Sequence, residues 1–281
     1  VTAKSSDEQN RADGPGPSWL GSSWLGLNWA VVLILSGLSA LGALAGLPLA
    51  IDLARLDPAI AAGLPQSPAA YYLLGLSMAL QTLVLYGLFI VVGLWCGRRL
   101  GLGAPVLDAL TRGRGVAPAF RSRLLRAAVY GIAAGIGVVT IDWLLFLDRL
   151  PPALTEDASP LANRLLAGMG FGGFNEEIKW RLMTVTVFVF IGARAWRGVR
   201  APPGRWTRDG AAVLAALACA AFHLTTTAAL TELTPLVVSR TLLLQTLLAV
   251  VFGLIYIRSG IEAAMLAHIG AQLPLQLATG Y

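Results

Sequence analysis

Seven stretches of the chain are each apolar over about the length of a bilayer crossing, and this constrains the fold more than any other feature. A spanning helix needs about 20 predominantly apolar residues. Such runs fall at residues 28–51, 69–96, 124–147, 165–196, 210–230, 236–257 and 261–279. Composition agrees: 56% of residues are hydrophobic and 13% charged, against about 25% charged in soluble domains. The chain reads as all-α, a polytopic membrane helix bundle of seven or eight transmembrane helices. No internal repeat is evident, and the connections are too short for a separate soluble domain. Residues 1–23 are expected to form a disordered cytoplasmic tail with no cleavable signal peptide, and residues 24–281 a single transmembrane domain.

The charges set the expected orientation. The net charge of +6 is carried almost wholly by arginine, since Lys4 and Lys179 are the only lysines. One connection holds Arg98, Arg99, Arg112, Arg114, Arg121 and Arg123, and another holds Arg194, Arg197, Arg200, Arg205 and Arg208. The connections near 52–68 and 148–160 and the turn at Glu232 are acidic or neutral. The positive-inside rule then places the N-terminus and both arginine-rich loops in the cytoplasm. It also explains the basic balance without a nucleic-acid partner; the partner implied is the lipid bilayer. Arginine- and alanine-rich usage hints at a GC-rich bacterial genome, hence an inner (plasma) membrane. Cys96 and Cys219 offer neither a metal motif nor a disulfide framework.

The run 165–196 is too long for one straight crossing, because thirty-odd helical residues reach about 50 Å against a core of about 30 Å. Gly168-Met169-Gly170-Phe171-Gly172-Gly173 allows a break there, immediately before Glu176 and Glu177. A carboxylate at membrane depth costs about 2.5–3.5 kcal/mol, and two neighbouring ones repel. Irregular backbone at that depth is tolerated where it lines a water-filled cavity, so the break and the acids support one another.

Few other polar groups lie within the apolar runs. His223 and His268 are the only histidines, Gln272 follows His268 by four residues, and Arg181 follows Glu177 by four. That spacing puts each pair on one helix face. Converging, the three segments would supply a carboxylate and imidazole to activate water, and an imidazole and amide to stabilise an oxyanion.

E-E-x-x-x-R, then a histidine in the next span, then H-x-x-x-Q in the last resembles the CPBP family. These are the CAAX-processing and bacteriocin-processing intramembrane endopeptidases, also called the Abi family. Phe252 to Gly260, ahead of the last histidine, is similar to the family's usual lead-in. The resemblance covers a core within 161–275. It implies that Glu176 activates the attacking water with His223, and that Glu177 and Arg181 order the site or position the substrate. His268 and Gln272 would form the oxyanion side, and the substrate would be a membrane-anchored or lipidated protein or peptide. It also implies catalysis with no cofactor, with zinc on a glutamate and two histidines as the alternative. Two positions depart from the family pattern. Cys219 stands where a phenylalanine usually precedes the second motif's histidine by four, and Gln272 stands where the last motif usually has asparagine.

Other readings stay open on the sequence. The acids could form a structural network with Arg181 and Lys179, Lys179 neutralising or snorkelling. Buried histidines and Gln272 also serve as interhelical glue. Asp142, Gln81 and Gln245 are expected to satisfy one another or nearby backbone, and Arg240 to snorkel or pair with Glu232. A proton- or ion-coupled carrier uses similar residues, and a non-catalytic membrane scaffold or immunity protein would need none of them. The oligomeric state is not readable.

Overall fold

The computed structural model describes residues 26–154, 159–197 and 203–278. The expected tail at 1–23 and Arg200 lie outside the described residues. Every element within them is helical: α1 (Trp29–Ala54), α2 (Pro58–Ala61), α3 (Pro68–Gly97), α4 (Pro105–Thr111), α5 (Pro118–Leu145), α6 (Leu161–Leu166), α7 (Thr186–Arg197), α8 (Arg205–Leu230), α9 (Pro235–Ser259) and α10 (Ile261–Leu277). Five of these (α1, α3, α5, α8 and α9) are long and apolar enough to cross a membrane. The other two apolar runs form α10 and the helical path from α6 to α7. Large side chains such as Leu33, Tyr72, Val84, Leu125 and Leu144 face outward, as lipid-facing surface does when tails replace water.

Local chemistry marks the helix ends. Pro68 and Pro235 open α3 and α9, and the hydroxyls of Ser67 and Thr234 accept the backbone N–H of Ala70 and Val237. Between α9 and α10, Gly260 adopts φ +88°, a left-handed conformation that favours glycine. The chain reverses there, and the N–H of Ile261 donates to the carbonyl of Gly103. Glu262 then accepts the N–H groups of Val106 and Leu107 at 3.0 and 2.8 Å, satisfying the first turn of α4 from 155 residues away. Asn28 ties the start of α1 to Asp108 and Thr111 of α4.

The interruption expected before the glutamates takes a specific form. From α6 the chain runs on without a loop through two π-helical stretches, Ala167–Glu176 and Ile178–Val185, into α7. Each π turn holds more residues than an α turn, so the long apolar run is shortened along its axis by widening. Hydroxyls favour the wide turns: Thr184 and Thr186 donate to the carbonyls of Lys179 and Arg181, each five residues back.

Small residues let the helices approach closely. A Cβ at Gly135 would lie 2.6 Å from the Ala271 carbonyl, and one at Gly270 2.7 Å from that of Ala128. α5 and α10 therefore cross backbone to backbone, as membrane helices with small residues do. Leu35, Ile90, Ile178, Leu182 and Tyr256 fill the largest core, which joins α1, α3, the second π stretch and α9.

Asp142 and Arg240 correct the sequence reading. Arg240 donates from Nε and Nη2 to the two carboxylate oxygens of Asp142, both at 2.7 Å, with both side chains largely buried. The pairing joins α5 to α9, which sequence distance hides.

Candidate functional site

Glu176 and Glu177 follow one another in the wide turns and point to different surroundings. The carboxylate of Glu176 is 23% exposed and lies 3.7 Å from Nε2 of His223, itself 22% exposed. Both line a cavity of about 670 Å³ enclosed by α1, the π stretches, α8, α9 and α10. At that separation a water can bridge carboxylate and imidazole.

Glu177 is fully buried. Its Oε1 lies 2.7 Å from Nδ1 of His268 and 3.1 Å from a terminal nitrogen of Arg181. Arg181 also donates to the Ala249 carbonyl and lies over the Phe252 ring. Phe252 in turn stacks on the His268 imidazole, with ring centroids 4.9 Å apart. Beyond His268 the network continues: Nε2 lies 3.0 Å from the Gln272 amide nitrogen, and Gln276 donates to Gln272 Oε1. A carboxylate at Nδ1 favours the tautomer with its proton there, which leaves Nε2 to accept from Gln272. Such a buried network, with an arginine in the middle, fixes the rotamers of its members.

The glycines before the acids make this closeness possible. A Cβ at Gly172 would stand 2.8 Å from Nε2 of His268, and one at Gly168 would run into the Gln272 side-chain amide. A Cβ at Gly173 would lie 2.6 Å from the Ile269 side chain. The sequence signal was a weak point in the helix; the structure adds a surface without side chains, against which α10 lays His268 and Gln272. All six residues singled out in the sequence (Glu176, Glu177, Arg181, His223, His268 and Gln272) thus meet around one site, divided into a cavity-facing pair and a buried network.

Residues 158–273 match the family model described as type II CAAX prenyl endopeptidase Rce1-like. The family resemblance carried by the motifs and the family match therefore agree, and the Rce1-like segment contains all six residues. Neither a curated protein nor a solved structure matches the chain.

Several partners in and around the Rce1-like segment had no motif to announce them. Phe252 lay within the lead-in to the last motif, but its stacking on His268 depends on how α9 meets α10. Gln276 extends the amide ladder at helical spacing from Gln272. Lys179, expected to neutralise or snorkel, holds its ammonium 3.3 Å from the ring centroid of Phe222, a cation–π contact. Cys219, at the position where the family usually has phenylalanine, lines the cavity and is buried.

Zinc in hydrolytic sites needs three converging protein donors and an open position. Among the described residues no three His, Cys, Asp or Glu side chains converge to offer that. Both His268 nitrogens lie within hydrogen-bond distance of Glu177 and Gln272. This donor set does not fit a catalytic zinc.

Proposed function

We propose that the protein is an intramembrane endopeptidase that hydrolyses a peptide bond in a membrane-anchored substrate, using Glu176 to activate water. The observation that carries this reading is the Glu176–His223 pair facing a sizeable cavity inside an apolar bundle. The match of residues 158–273 to the family model supports the reaction class.

In the proposed reaction Glu176 takes a proton from a water held against His223 while the water oxygen attacks the scissile carbonyl carbon. The carbonyl π pair moves onto oxygen. Gln272 has two amide hydrogens; one faces His268, and the other is available to the oxyanion. Collapse of the tetrahedral intermediate breaks the C–N bond, and the proton held by Glu176 passes to the leaving amine. Glu177, Arg181 and Phe252 act through His268 as positioning residues.

The family description as a prenyl endopeptidase and the walls of the cavity support this substrate class. Leu49, Leu53, Leu230, Leu244 and Leu275 give it apolar sides, suited to apolar side chains or a lipid chain.

The test is cleavage of quenched membrane-anchored peptides by purified protein in detergent, comparing wild type with Glu176→Gln, each with and without a strong chelator. Activity that survives chelator and disappears in the variant is the expected result. Full activity in the variant would overturn the reading, and loss with chelator alone would reinstate a metal mechanism.

A further inference from the structure

The cavity and the arginine-rich connections occupy opposite ends of the bundle. The cavity's lining reaches Leu53 in the last turn of α1, Leu230 at the end of α8, Gln276 in the last turn of α10, and Ala153 and Ser159 between α5 and α6. These are the ends that α1, α8 and α10 reach after crossing from the arginine-rich side. The connections there carry, among the described residues, Asp52, Asp57, Asp148 and Glu232 against Arg55 and Arg149.

The other end gathers the start of α1, the end of α3, the start of α5 and the turn between α9 and α10. A second hollow of about 500 Å³ lies there, lined by Arg98, Arg112, Arg123 and Arg258. Arg205 and Arg208 at the start of α8 and Arg194 near the end of α7 belong to the same side. Arginine in short loops close to span ends is what holds a loop in the cytoplasm. Among the described residues the arginines of the connections gather at this end, with Arg55 and Arg149 at the other.

We infer that the catalytic cavity opens onto the non-cytoplasmic face of the membrane, so that its substrate is a membrane-anchored protein whose scissile segment has been exported. The identity of the reaction rests on the peptidase reading, whereas the direction of the opening rests on the helix ends that the lining reaches and on the arginines alone. Depth sets how the substrate enters. His223 precedes the end of α8 at Leu230 by seven residues, or about 10 Å of helix. An extended chain advances at most about 3.3–3.6 Å per residue. A segment entering from outside thus needs roughly three extended residues to bring a peptide bond to Glu176. The scissile bond is expected just inside the membrane surface, close to where an exported chain meets its anchor.

The experiment places single reporter cysteines at exposed positions of the two ends. Ala62→Cys and Ala153→Cys report the cavity end, and Gly115→Cys and Arg205→Cys the arginine end. The unmodified chain, whose Cys96 and Cys219 are buried, sets the background, so no cysteine need be removed. Intact cells are treated with a membrane-impermeant maleimide, then permeabilised and treated again. Labelling of positions 62 and 153 in intact cells, with 115 and 205 labelled only after permeabilisation, is expected; the reverse pattern overturns the inference. In parallel, an acyl-anchored quenched peptide is added outside right-side-out and inside-out vesicles holding wild type or Glu176→Gln. Cleavage confined to right-side-out vesicles, and lost in the variant, is expected; cleavage confined to inside-out vesicles overturns the inference. The expected labelling with cleavage from neither side supports the orientation and counts against the peptidase reading.

Discussion

Nδ1 of His268 lies 2.7 Å from the carboxylate of Glu177, while the adjoining Glu176 turns away to face His223 at 3.7 Å across the cavity wall. One peptide bond separates a buried carboxylate whose Oε1 meets both an imidazole and a guanidinium from one with room for water. The two acids should therefore respond differently to the same chemical change.

Glu176→Gln removes the proposed base from a position with little structural demand. Cleavage is expected to fall by about 10²–10⁴-fold or more, with the melting temperature in detergent close to wild type. Peptide cleavage and thermal unfolding on the same preparation check this together.

Glu177→Gln leaves Arg181 buried without its opposing charge and weakens the hold on His268. Breaking one partner of a buried pair costs about 3–5 kcal/mol. A markedly lower melting temperature is expected along with lost activity. A wild-type melting temperature would show that the network contributes nothing to the fold.

Asp142→Asn and Arg240→Ala should each destabilise on the same scale, about 3–5 kcal/mol, by breaking the bidentate link between α5 and α9. Replacing both partners together by apolar residues of similar volume should recover much of the loss. Thermal unfolding of both singles and the double replacement measures the coupling.

Gly172→Ala tests the closeness of α10. Its new methyl would stand 2.8 Å from Nε2 of His268, whereas a Cβ at Gly137 meets nothing within 4 Å. A displacement near 1 Å at a catalytic centre can cost about 10²-fold in rate. Gly172→Ala is expected to lose activity on that order, and Gly137→Ala to keep it.

Asp108 supplies the pH dependence. Burial works to raise its carboxyl, but hydrogen bonds from Asn28 and Arg112 and the charges of Arg112 and Arg114 hold it below its ordinary value. A group depressed on folding contributes stability above its unfolded pKa, near 3.9, and that contribution fades as pH falls through the folded value. The α1–α4 junction should loosen in acid below about pH 4, and Asp108→Asn should flatten that dependence. Hydrogen exchange at Asn28 and Val32 across this range is the measurement.

The sequence made the helices legible because lipid demands long apolar runs, and each of the seven runs became a helix or a helical path. It made the site legible because so few polar residues are tolerated at that depth that Glu176, Glu177, Arg181, His223, His268 and Gln272 stood out. What stayed hidden were relationships across the bundle. Asp142 and Arg240 are 98 residues apart, and no local spacing announces that they meet. Glu262, capping α4 from the start of α10, gave no signal either. The division between Glu176 and Glu177 could not be read, since adjacent letters carry no record of which side chain turns inward. The glycine run was visible as a weak point in a helix; the wide turns it sits in, and their use as a bed for α10, depend on what packs against them.

Gly168 and Gln272 share one small volume: where one has no side chain, the other extends its amide. The glutamine that departs from the usual asparagine is accommodated by that vacancy, so the two positions pack as a single unit. A chain that shortened residue 272 could afford a methyl at 168, and one that filled 168 first would find the path closed. The order of substitutions, and not only their identity, is thus constrained along this contact.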